Sequence, residues 1–73
     1  MKNKLLRNKR ESMGKTQLDM AKVGNISLRA YQLYESGERV PNVWTAIRIA
    51  DALDIDVKKL WFPSPEFPSP NGA

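Results

Sequence analysis

The sequence contains no cysteine and no histidine. The first absence removes disulfides and thiolate-bound metals; the second removes the usual general base and the usual zinc ligand. Glycine is scarce, at four residues in 73, and no glycine loop of the phosphate-cradling kind occurs. No apolar run approaches the ~20 residues needed to cross a bilayer. The opening MKNKLLRNKR is basic like a secretory leader, but no apolar stretch follows it. Acid is missing from those ten residues, which hold five lysines and arginines. Only Pro41, of five prolines, lies before residue 62. These gaps leave little for enzymatic chemistry to work with. No cofactor and no metal are expected, and the product is expected in the cytoplasm, away from membranes.

What is present suits one small domain whose stability comes from helix packing. Twelve basic against eight acidic residues give a formal charge of +4, which favours a polyanionic partner. The stretch from Thr16 to Tyr34 is the most informative. Thr16 reads as an N-cap with Asp19 three residues on, a capping-box pair. Met20, Ala21 and Gly24 fall on one face of the helix that follows. Asn25 tolerates the left-handed conformation of a sharp turn, Ile26 plugs the corner, and Ser27 caps a second helix. On that helix Ala30, Tyr31 and Tyr34 form the inward stripe. Leu28, Arg29, Gln32 and Leu33 form the outward one, which carries arginine and glutamine but no acid.

In chain order, residues 2–13 are expected as a first helix whose buried side carries Leu6 and Met13, with Leu5 beside them, ended by Gly14. Arg10 shares that side and is expected to point inward to a carboxylate. Ser36-Gly37 ends the third helix, and Glu38 to Pro41 form a loop. Asn42 caps a fourth helix with apolar residues at 43, 46, 47, 50 and 53, widened by Ile49. Trp44 lies off that stripe. Asp56 caps a last turn or two containing Val57, Leu60 and Trp61. Residues 1–61 are thus one domain. Residues 62–73, with FPSP nearly repeated, are expected as an extended, mobile proline-rich tail.

Thr16-Gln17, Met20-Ala21, Ile26-Ser27, Tyr31, Tyr34-Glu35, Gly37, Pro41, Ile49-Ala50, Ala52-Leu53 and Leu60-Trp61 together resemble the Cro/repressor (XRE) family of helix-turn-helix DNA-binding domains. The resemblance spans roughly residues 5–61. It implies an all-α, five-helix, lambda-repressor-like domain with its third helix in the DNA major groove. It also implies contacts by residue. Gln17 would meet a phosphate or base, and Ser27, Leu28, Arg29, Gln32 and Leu33 would face the groove. Arg29 would suit guanine, Gln32 adenine, and Leu28 or Leu33 a thymine methyl. Arg39 and Asn42 would hold phosphate, and Arg10 would pair with Glu35 as a structural ion pair. The departures are these: Gly24 replaces a larger apolar residue and should leave its helix poorly filled, Asn25 and Asp54 stand where glycine is usual, and Lys15 replaces a usual apolar residue.

The expected function is a sequence-specific double-stranded DNA-binding transcriptional regulator, a Cro-like repressor. It would act as a homodimer on a two-fold operator, joined through Ile55, Val57, Lys58 and Trp61. The alternative is an antitoxin-like or protein-interaction module on the same fold, for which Trp44, Trp61, Phe62 and Phe67 speak. An enzyme has no feature in its favour.

Overall fold

A computed structural model describes residues 2–61. The proline-rich tail and the boundary drawn before it lie outside the described residues. Within them the chain is all-helical, in the order α1 (Lys4–Ser12), α2 (Gln17–Gly24), α3 (Leu28–Ser36), α4 (Val43–Ala52) and α5 (Val57–Trp61). Packing follows a simple plan: α2 lies between α3 and α4, α1 leans on α3, and α5 leans on α4.

Local chemistry explains most boundaries. Asn3 caps α1, its side chain accepting from the Leu6 amide. Thr16 and Asp19 form the reciprocal capping box of α2, and Asn25 ends that helix at φ 56°. Ser27 caps α3, and Gly37 ends it at φ 82°. Asn42 caps α4 by accepting from Thr45 N at 2.9 Å. Asp54 turns the chain after α4 at φ 53°. Asparagine and aspartate are the non-glycine residues that best accept this left-handed geometry, so both stand-ins for glycine adopt the backbone that glycine would.

The core joins Leu6, Met20, Ala21, Tyr31, Tyr34, Ile49, Ala50, Leu53 and Leu60, with Ile26, Ala30, Ile55, Val57 and Trp61 packed against it. Three expectations are corrected here. The first helix is shorter than residues 2–13, so Met13 falls off its end as the C-cap residue and is 40% exposed, as is Leu5 at 42%. The heptad spacing from Leu6 to Met13 therefore counts a residue that is no longer helical. In α4 the buried side runs through Thr45, Ala46, Ile49 and Ala50 to Leu53, while Val43 and Ile47 are 56% and 39% exposed. The helix is rotated by part of a turn from the stripe the apolar spacing suggested. Nor is α2 poorly filled at Gly24. A Cβ built there meets Thr45 Cγ2 at 3.3 Å and Ile26 at 3.4 Å, so the missing side chain is what lets α4 close on α2.

Candidate nucleic-acid interface

The outward side of α3 begins at its cap. Ser27 Oγ accepts from Ala30 N at 3.1 Å, which fixes the first turn and sends the next residues outward. Leu28 and Arg29 are exposed, and Gln32 and Leu33 one turn later are half-buried. Among the described residues Arg29 makes no side-chain hydrogen bond and no ion pair with the protein. Its guanidinium head is exposed and unpaired among the described residues.

The inward side carries a charged knot. Arg10 Nε donates to Glu35 Oε2 at 2.5 Å, and its Nη2 reaches Oε1 at 3.4 Å. Tyr31 donates its hydroxyl to Oε2 at 2.6 Å, and Gln17 Nε2 donates to Oε1 at 3.1 Å. Arg10 Nη1 also donates to the carbonyl of Lys15 at 2.7 Å, tying the turn before α2 into the same group. Burial alone would push the Glu35 carboxyl up, but the hydrogen bonds from Arg10, Tyr31 and Gln17 overcome it and hold the group below its usual range. Tyr31 moves the other way: burial first, then its bond to Glu35, raise its hydroxyl well above the ordinary tyrosine value. The hydrogen bond to Glu35 likewise raises Arg10.

Gln17 connects this knot to the surface. Its Oε1 accepts from Gln32 Nε2 at 3.3 Å. The structure thus brings Arg10, Glu35, Gln17 and Gln32 together, although they lie on three helices, and sets Leu28, Arg29 and Leu33 apart from them. A cleft of about 550 Å³ opens over the same group, between the start of α1 and the end of α3. Lys2, Lys4 and Arg7 line it beside Gln17, Gln32 and Ser36, together with Glu11, whose carboxylate pairs with Arg7 at 3.3 Å. On the other side of α3, Arg39 is exposed in the loop and Asn42 is exposed at the start of α4. Asn42 Oδ1 is engaged in the cap, and its amide nitrogen has no hydrogen-bond partner among the described residues.

Sequence reasoning missed Asn3. Its backbone N–H donates to the Glu35 carbonyl at 2.9 Å, and its Nδ2 donates to the Leu60 carbonyl at 2.8 Å. One residue thereby caps α1, holds the end of α3 and reaches α5. The available signal was an asparagine directly before an amphipathic run. The residues named for dimerisation sit at the α4–α5 end. Ile55, Val57 and Trp61 pack partly against the core, and Lys58 is exposed. Trp61 Nε1 is buried with no hydrogen-bond partner among the described residues.

The sequence itself has known relatives. The helix-turn-helix family profile matches residues 6–60. A protein of Vibrio cholerae described as the cryptic phage CTXphi transcriptional repressor RstR is 46% identical over 55 residues, covering 75% of this chain and 49% of the relative. The chain thus aligns with about half the length of that relative. No solved structure matches it. Among the described residues no helix is long and apolar enough to cross a membrane.

Proposed function

This chain belongs to the helix-turn-helix family of the Cro/repressor (XRE) type, and from that premise we propose that it is a double-stranded DNA-binding transcriptional repressor. The observation that carries the reading is the division of α3. A buried tyrosine and carboxylate side locks the helix to α1 and α2, and an acid-free side with a free arginine faces outward. Arg29 has the two parallel donors that suit guanine O6 and N7, and Leu28 and Leu33 suit thymine methyls. Gln17, Arg39, Asn42 and the α1 bases contact phosphate, which sets register and affinity but carries no base information. The relative's description as a transcriptional repressor of a phage supports the regulatory half of the proposal.

One such helix reads about four or five base pairs, so two copies on a two-fold operator, with half-sites about one helical turn apart, supply a usable site. Ile55, Val57, Lys58 and Trp61 are the proposed contact between copies. Such a protein works where the chromosome is, in the cytoplasm.

The test is a mobility shift on DNA upstream of the gene. Arg29→Ala is expected to weaken specific binding by about tenfold or more, and wild-type binding to fall steeply with added salt. Equal binding of the variant to specific and random DNA, at wild-type strength, sinks the reading. A protein-interaction role has one observation behind it: Trp44 is 73% exposed, and Val40 and Val43, close to it in sequence, are exposed as well. Recovery of one stoichiometric protein partner, with no DNA preference in a selection, would favour that role instead.

A further inference from the structure

A second cleft, of about 490 Å³, lies between the start of α1, the loop after α3 and α5. Leu5, Tyr34, Val40, Leu60 and Trp61 give it an apolar lining. Leu5 and Val40 are both exposed and stand outside the core cluster. Lys2, Lys4, Arg39 and Lys59 line the same cleft, and among the described residues no acid does. Trp61 also carries the orphan donor of the domain, its Nε1–H being shut off from solvent with no acceptor among the described residues. A buried donor in that state is costly, so an acceptor belongs beside it. The cleft therefore suits an occupant with a large apolar side chain, an acidic group and open backbone carbonyls.

We propose that this cleft is the docking site of the chain's own segment 62–70, with Phe67 on the apolar lining and Glu66 among the bases. The segment leaves the domain at Trp61, itself part of the lining, so it starts at the edge of the cleft. Phe67 follows six residues later, a reach of roughly 20 Å when extended, which leaves the chain room to turn back. Phe62, one residue from the helix, has no such freedom. Charge agrees: Glu66 is the only charged side chain from 62 to 73, and it adjoins the phenylalanine. Pro63, Pro65, Pro68 and Pro70 have no N–H, and a stretch so rich in proline cannot close its carbonyls into a helix. Those carbonyls are left for an outside donor, and the Trp61 indole is the nearest by chain connectivity. Aromatic-lined grooves take proline-rich segments because little conformational freedom is lost on docking. Tethering decides between this segment and the same segment of another molecule, since a short connection supplies it at about millimolar effective concentration.

The experiment is solution NMR on the full chain, with isotope-labelled and unlabelled copies mixed to separate contacts within a chain from contacts between chains. The Phe67 ring is expected to contact Val40 and Trp61 of its own chain. Backbone order parameters at Glu66 and Phe67 are expected near about 0.8, close to the value of rigid backbone. Phe67→Ala is expected to lower the order at Glu66 below about 0.6 and to shift the Trp61 indole resonance, which Trp44→Phe identifies by elimination. Val40→Asp, at an exposed position outside the core, is expected to release the segment from the cleft side. Circular dichroism checks that each variant stays helical. Low order at Glu66 and Phe67 in wild type overturns the inference, as does a Trp61 resonance indifferent to Phe67→Ala in the folded protein. Contacts found only between chains overturn it too, in favour of a segment exchanged between two copies. The DNA-binding reading stands under each of these outcomes.

Discussion

The two ends of α2 are fixed by opposite means. At its start, Gln17 is held through a hydrogen bond to a buried carboxylate that also binds Arg10 and Tyr31. At its finish, Gly24 is held by nothing polar; α4 simply comes close because no side chain stands in the way. The first joint is directional and charge-dependent, so it fixes how side chains are turned. The second depends on shape and fixes how close two helices lie. Between them they set the posture of α3, which packs on the same α2.

If that contrast holds, damage to the two joints should differ in size and in its dependence on pH. The largest effect is expected for Glu35→Ala, which leaves Arg10 buried without its partner and should lower unfolding free energy by about 3–5 kcal/mol in chemical denaturation. Replacing both charges, as Arg10→Met with Glu35→Leu, should recover most of that loss, since a well-packed apolar pair often matches a buried ion pair. A double variant no more stable than the single one would show that the charge itself is needed.

Next comes pH. The folded state holds Glu35 below its unfolded value, so its contribution is present above the ordinary carboxylate range and is lost as pH falls through the folded value. Tyr31 is held above its unfolded value, so its contribution is intact below the ordinary tyrosine range and is lost as pH rises beyond it. Denaturation midpoints should therefore form a plateau across neutral pH with a fall on each side, and the acid-side fall should shrink in the Arg10→Met, Glu35→Leu variant.

The shape-dependent joint should show a smaller effect and little change with pH. Gly24→Val is expected to cost about 1–3 kcal/mol by overpacking. Thr45→Ser, which deletes the methyl that the new side chain meets at 3.3 Å, should return part of it. Smallest is Asn3→Ala, at about 1 kcal/mol for a lost cap. Its loss should show first as faster amide exchange in α5, because Asn3 also holds the Leu60 carbonyl.

The fold was legible where sequence chemistry is local. Capping residues at Thr16, Ser27 and Asn42 each marked a helix start, and α3 divides cleanly because aromatic and polar residues alternate with the helical period. In α4 the same method erred, since Val43, Ala46, Ile47, Ile49, Ala50 and Leu53 supply apolar residues in more than one phase. Only contact with α2 chooses among the phases, and that contact depends on Gly24, whose small size read from sequence as a gap. The candidate site was legible as a set of residue types on α3. The bond from Gln32 to Gln17 was not, because it joins positions 15 apart on two helices and exists only at their observed crossing.

Arg29, Leu28 and Leu33 have no polar tie to the scaffold, whereas Glu35 has every lone pair engaged. Three letters of the reading surface can therefore be exchanged, as loose type in a printer's frame, while the frame stays locked. Gln32 is the exception, a letter cast in one piece with the frame, and a lineage of such proteins acquiring new operators would be free to vary its neighbours long before it could vary that one.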